Sequence, residues 1–293
     1  KKVARLKQLF HDRRRALILT HDNPDPDSMA SAWALKQLLA KTAGLPADLA
    51  YGGIIGRAEN AAFVKLLRVP IVPIDRVKLA DYDTFALLDT QQTAGNHALP
   101  ADRVADIVID HHPLRDEATV NPFADLGGTY GATSTLLTEY LRAARLEPSP
   151  ELATALYYGI KADTRDLGRQ TRAPDVESYL WLMPQVNLGL LKGIEHPRRS
   201  RRYFQILHSA ISYARVYSKA VITDLGDVDS PDLVADIAER FSFIEGVRWS
   251  LAFGAFDRRY LHLSLRVSDE LRNAGRLVRE LCAPFGGSAG GHG

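Results

Sequence analysis

Through roughly the first two thirds of the chain, short unbroken apolar runs alternate with longer stretches in which apolar positions recur every three or four residues. Ala16-Leu17-Ile18-Leu19-Thr20, Phe85-Ala86-Leu87-Leu88-Asp89 and residues 104–110 are of the first kind. Runs of this length suit strands covered on both faces, as in a sheet flanked by helices. Residues 28–41, 131–145 and 149–162 are of the second kind and predict helices, with Pro148 and Pro150 punctuating the gap between the last two. Strands alternating with helices predict an α/β unit on a parallel sheet with crossover helices.

The pattern changes after about Leu191. Residues 197–213, rich in arginine at their start, suit a connecting helix. Residues 215–223, 247–256 and 260–267 alternate like strands, and 231–243 and 273–281 read as helices. The expected organisation is a first domain over 1–190, a linker helix over 191–213 and a smaller mixed α/β domain over 214–293, with a cleft between the two domains. No internal repeat is visible. The one low-complexity stretch is Gly286-Gly287-Ser288-Ala289-Gly290-Gly291-His292-Gly293. The chain opens without Met and stops inside this run, so trimmed termini are allowed for.

Composition narrows the classes. The 293 residues suit two domains, and 46% hydrophobic with 25% charged residues is an ordinary globular balance. A net charge of +2 makes the chain no polybasic coat, so anion binding needs a local site. Cys282 stands alone, which excludes disulfides and a cysteine zinc cluster within the chain. No apolar run approaches the roughly 20 residues of a membrane span. No signal peptide follows Lys1-Lys2-Val3-Ala4-Arg5, so a cytoplasmic protein without a membrane partner is expected.

The chemistry concentrates where predicted strands end. Thr20-His21-Asp22-Asn23-Pro24-Asp25-Pro26-Asp27-Ser28 joins a strand to a helix. Ligands of open parallel sheets bind at the carboxyl ends of strands. Helix capping by Asp27 or Ser28 would explain one polar residue there, but not three aspartates beside a histidine. Asp89 ends the second strand, and Asp110-His111-His112 ends the third. Asp163 ends a predicted helix, where the helix dipole disfavours an acid unless a cation compensates. Carboxylates gathered this closely repel one another unless cations neutralise them. Carboxylates and imidazoles without thiolates favour Mn²⁺ or Mg²⁺, with the histidines tilting the choice to Mn²⁺ and zinc as an outside choice. The ligands suffice for two ions sharing a carboxylate.

Four motifs in this order resemble the DHH phosphoesterase family: His21-x-x-x-Asp25-x-Asp27, Asp89, Asp110-His111-His112, and Asp163-Thr164. The resemblance covers essentially the whole chain. It implies one metal held by His21, Asp25 and Asp89, and a second held by Asp27, Asp89, His111 and Asp163, with Asp89 bridging. It implies that His112 contacts the substrate phosphate while Asp110 orients the neighbouring histidines. The first motif usually has Gly where Pro26 stands here, a departure that keeps the ligand spacing. Arg165 stands where small residues are common and is a candidate substrate contact, as is Arg169. The Gly-rich tail resembles the glycine-histidine loop of the DHH-associated C-terminal domain. Gly290, Gly291 and His292 are therefore substrate-binding candidates, and the tail argues against the family II inorganic pyrophosphatases, whose second domain differs.

The two-domain build is most similar to the nanoRNase, pAp phosphatase and dinucleotide phosphodiesterase branch. Its expected activity is hydrolysis of short oligonucleotides, linear or cyclic dinucleotides or pAp-type nucleotides by metal-activated water. A homodimer is compatible with the resemblance. The alternatives are a RecJ-like single-strand exonuclease, or a nucleotide- or RNA-binding protein with a degenerate site. Tyr157, Tyr158 and Trp181 read as core aromatics, and the Arg13–Arg15 and Arg198–Arg202 clusters as solvated faces.

Overall fold

The computed structural model describes residues 1–114, 121–267 and 274–286. The chain divides into two compact units, Lys1–Ile55 with Glu59–Pro197, and Gly56–Ala58 with Arg198–Gly293.

The first unit carries strands β1 (Ala16–Thr20), β2 (Ala47–Tyr51), β3 (Ile71–Pro73), β4 (Thr84–Leu88), β5 (Ile107–Asp110) and β6 (Phe123–Leu126). Its helices are α1 (Lys2–Phe10), α2 (Pro26–Thr42), α3 (Ala58–Leu67), α4 (Thr133–Ala143), α5 (Pro150–Asp163), α6 (Ala173–Leu182) and α7 (Leu188–Glu195). All six strands are parallel, in the order β3-β2-β1-β4-β5-β6. Every residue of β1, β4 and β5 is buried, as their unbroken apolar runs require. Ala16 and Ile18 enter one core with α2, α4 and α5, while Leu17 and Leu19 enter a second core with Phe85, Leu87 and Val108. This is the period-2 alternation of a strand covered on both sides. The chain order reverses between β1 and β4, which pair in register from Ala16↔Thr84 to Thr20↔Leu88. The carboxyl ends of those two strands are therefore the topological switch point of the sheet.

The second unit holds α8 (Arg201–Tyr213), β7 (Arg215–Tyr217), β8 (Ala220–Val228), α9 (Pro231–Phe241), β9 (Trp249–Phe256), β10 (Tyr260–Val267) and α10 (Ala274–Cys282). Its sheet order is β10-β9-β8-β7, with β8 and β9 parallel and the outer pairs antiparallel. Ile206 and Ala210 of α8 pack with Val221 and Leu225 of β8 and with Val234, Ile237, Ala238 and Phe241 of α9.

Two stretches differ from expectation. Residues 191–213 are not one linker helix: α7 ends at Glu195, and α8 begins at Arg201 as part of the second unit's core. Pro197 lies between them and cannot continue a helix. Residues 215–223 are not one strand but the β7–β8 hairpin, which turns at Ser218 with φ 54°. Among the described residues no helix is long and apolar enough to cross a membrane.

Candidate metal centre

The first motif leaves β1 and enters α2. Asp25 is the N-cap of α2: its Oδ1 accepts the Ser28 N–H at 2.9 Å, and its own N–H donates to Ser28 Oγ at 3.2 Å. The cap is thus Asp25 rather than Asp27 or Ser28. Pro26 occupies the first helical turn, where a missing N–H costs nothing and φ near −65° is already helical. This accounts for proline between the two aspartates.

Asp89 follows β4 with φ 59°, a left-handed conformation that asparagine and aspartate tolerate best among side-chain-bearing residues. Its N–H donates to the Ile109 carbonyl at 2.9 Å, tying the end of β4 to β5. Asp110 ends β5, and His111 and His112 follow directly. Asp163 is the last residue of α5.

These segments converge. Three groups each offer ligand atoms within 4.8 Å of one another: His21, Asp25 and Asp89; Asp27, His111 and Asp163; and Asp89, His111 and His112. His21 Nε2 lies 3.6 Å from both Asp25 Oδ1 and Asp89 Oδ2. His111 Nε2 lies 3.6 Å from Asp89 Oδ1 and 3.0 Å from Asp163 Oδ2.

The donor set fits divalent cations on three counts. First, the tautomers suit ligation. His21 Nδ1 faces the Asp22 carbonyl at 2.9 Å and His111 Nδ1 faces the Tyr130 carbonyl at 3.2 Å. A carbonyl only accepts, so Nδ1 carries the proton of each neutral ring and Nε2 presents a lone pair to the cluster. Second, His111 Nε2 is buried without an aligned hydrogen bond, since the 3.0 Å approach of Asp163 is off its bonding direction. Third, the carboxylates crowd. Burial, then repulsion from Asp163, pushes the Asp27 carboxyl up to about 7. Burial, then repulsion from Asp27 and Asp25, drives Asp89 well above its ordinary value. Burial disfavours charge on the imidazoles, yet Asp25 and Asp89 raise His21 to about 10, and Asp163, Asp89 and Asp27 raise His111 to about 11. Desolvation likewise opposes ionisation of Asp25, but His21 and the Ser28 donors outweigh it and hold that carboxyl low. Protons substitute here for a compensating positive charge.

A supporting layer surrounds these groups. Both Asp27 oxygens accept backbone N–H groups from the first turn of α4, Thr133 at 2.7 Å and Ser134 at 2.7 Å. Asp110 accepts His112 Nδ1–H at 2.7 Å and Gln91 Nε2–H at 2.7 Å. Burial would raise the Asp110 carboxyl, but His112 and Gln91 reverse this and lower it. Arg169 donates to the Asp163 carbonyl at 2.8 Å and lies 3.5 Å from its carboxylate. With His111, it offsets the unfavourable helix-end position of that acid. Arg165 is exposed on a turn in which residues 165, 166 and 167 all have positive φ. Gly290, Gly291 and His292 lie outside the described residues.

The supporting residues Thr133, Ser134 and Gln91 were not singled out from sequence, nor was Asp175, which accepts the Gly131 N–H at 2.8 Å just ahead of α4. A weak signal existed: Thr133-Ser134-Thr135 places three hydroxyls at a helix start, where such residues serve as caps. All three are fully buried.

Residues 15–160 match the DHH family, N-terminal domain, and the first unit is a domain of that family. An uncharacterised protein of Methanocaldococcus jannaschii is 36% identical over 278 residues, which are 94% of this chain and 56% of that protein. The chain thus spans little more than half the length of this curated relative. A probable manganese-dependent inorganic pyrophosphatase of Deinococcus radiodurans is 30% identical over 160 residues, 54% of this chain and 49% of that protein. Among solved structures, an exopolyphosphatase-related protein from Bacteroides fragilis superposes with a TM-score of 0.73 at 16% identity, covering 95% of this chain and 86% of that one. That likeness is one of fold.

Proposed function

We propose that this chain is a manganese-dependent phosphoesterase, with magnesium as the alternative ion, that hydrolyses short oligonucleotides, linear or cyclic dinucleotides, or pAp-type nucleotides. One observation carries the proposal: Asp89 belongs to two ligand groups, one with His21 and Asp25 and one with His111 and His112, and a third group of Asp27, His111 and Asp163 stands beside them. A carboxylate can bridge two neighbouring ions, which supports a two-ion reading with Asp89 as the shared ligand. The manganese named for the pyrophosphatase relative supports the choice of ion.

His21, Asp25 and Asp89 would hold one cation, and Asp27, Asp89, His111 and Asp163 the other. Bound there, the pair would supply an activated water and neutralise charge on the phosphoryl oxygens. The chain's own groups do the rest. Asp110, fixed by Gln91, accepts from His112 Nδ1 and sets that ring's tautomer and direction. His112 is thereby assigned to donate to a phosphoryl oxygen. Arg165, exposed two residues beyond Asp163, is assigned a second anionic group of the substrate. Gly290, Gly291 and His292 are assigned contacts to a phosphate or base.

The test is a substrate panel of linear dinucleotides, oligonucleotides of increasing length, pAp, cyclic dinucleotides and pyrophosphate, each with Mn²⁺ and with chelator. Metal-dependent cleavage that is fastest on a dinucleotide, a short oligonucleotide or pAp supports the proposal. Cleavage restricted to pyrophosphate, or no cleavage at all, overturns it.

A further inference from the structure

The first turn of α4 meets the candidate ligands from behind. Thr133 makes three separate connections there. Its N–H donates to Asp27 Oδ2 at 2.7 Å, its Oγ1 accepts the His111 N–H at 3.3 Å, and its Oγ1–H donates to Asp89 Oδ1 at 2.8 Å. A hydroxyl has one proton, and an ionised carboxylate can only accept. With Asp89 ionised, as a ligand must be, the Thr133 proton goes to Asp89 while the oxygen still accepts the His111 N–H. Thr133 is fully buried, so water does not compete for the bond.

We propose that Thr133 is the positioning residue of the metal centre, a role that rests on the metal-dependent reading above. Through one residue it sets the spacing between the Asp27 carboxylate, the Asp89 carboxylate and the strand end that carries His111. The hydroxyl holds Asp89 Oδ1, the oxygen 3.6 Å from His111 Nε2, and so leaves Oδ2 to His21 Nε2 at 3.6 Å. The entry to α4 is itself anchored. Buried Asp175 accepts the Gly131 N–H at 2.8 Å and the Thr135 hydroxyl at 2.6 Å, which keeps the turn from sliding along the sheet.

The experiment compares Thr133→Val with Thr133→Ser in the full chain. Mn²⁺ affinity is measured by titration calorimetry, and the melting temperature is measured on chelator-treated protein. Valine keeps the shape and loses the hydroxyl; serine does the reverse. The expected result is that Val loses about tenfold to a hundredfold in Mn²⁺ affinity while Ser stays close to the parent. Without metal, Val should melt several degrees lower, because the buried His111 N–H and Asp89 carboxyl lose a partner, and Ser should stay near the parent. Equal affinities for Val and the parent overturn the inference, as does an equal loss in Val and Ser, which would mark packing alone. If Val does not fold, Thr133→Ala against Thr133→Ser isolates the hydroxyl with the methyl absent from both, and is read the same way. A parent chain that binds no Mn²⁺ overturns the metal-dependent reading itself, and the Thr133 assignment with it.

Discussion

His111 Nε2 lies 3.0 Å from the Asp163 carboxylate without hydrogen-bond alignment, while the same ring's Nδ1 faces the Tyr130 carbonyl. The ring is thus held from behind, with Nε2 grouped with the carboxylates of Asp27 and Asp163 and 3.6 Å from that of Asp89. Without a cation, crowding favours protonation of these groups: burial and neighbouring carboxylates raise Asp27 and Asp89, and the carboxylates raise His111.

Cation binding should therefore release protons. Neighbouring carboxylates push His21 up to about 10 and His111 up to about 11, burial pushes Asp27 up to about 7, and each must be deprotonated to ligate. Below those values every bound ion expels protons, so affinity rises with pH across the neutral range. Calorimetry at pH 7 in two buffers of different ionisation enthalpy should give different observed heats. Identical heats would mean that the imidazoles are already neutral.

Asp89→Asn tests the shared ligand without disturbing the backbone, because asparagine accepts the left-handed φ that alanine resists. Activity should fall by on the order of 10²–10³, the scale of losing one preorganised electrostatic group. The metal-free protein should melt no lower than the parent, since a crowded buried carboxylate has been neutralised. Turnover within a few-fold of the parent would remove Asp89 from the centre.

Gly159→Ala probes the packing behind the site. A Cβ at Gly159 would stand 2.5 Å from Ser134 Oγ and 3.1 Å from Asp27 Cα, so α5 approaches α2 and α4 only without a side chain there. The expected cost is about 1–3 kcal/mol in denaturant unfolding. Mn²⁺ affinity should fall as well, because the displaced atoms carry Asp27.

Pro26→Gly should be silent for metal and visible in stability. Asp25 still caps α2 and the ligand spacing is unchanged, so Mn²⁺ affinity should match the parent. Unfolding free energy should drop by about 0.4–1 kcal/mol, because glycine frees the unfolded chain. A marked loss of metal affinity would mean that proline shapes the site itself.

How much of this was legible beforehand follows from where the signals lie. Asp89 and Asp110 stand out because unbroken apolar strands run straight into them, and parallel strands deliver their carboxyl ends to one edge. β2 was not visible: Ala47-Asp48-Leu49-Ala50-Tyr51 carries an acid whose charge is paired by Arg15 and Lys36. β6 hides for a similar reason, with Asp125 paired to Lys2 and accepting from Tyr140. The β7–β8 turn uses Ser218 in place of the usual glycine or asparagine, so nothing broke the strand pattern. The cap on α2 was misplaced because Pro26 starts the helix before the apolar spacing does. Thr133 could not be ranked from sequence, since its function comes from meeting Asp27, Asp89 and His111 at sequence separations of 106, 44 and 22 residues.

The most direct measurement is the number of Mn²⁺ ions bound by chelator-treated protein, in the parent and in Asp25→Asn and Asp27→Asn. Two ions per chain are predicted, with each substitution weakening a different one, as the proposed sharing of Asp89 between two ions implies. Asparagine keeps the α2 cap in the first variant, so a loss there reports on ligation. No bound Mn²⁺, or binding indifferent to both substitutions, would contradict the account.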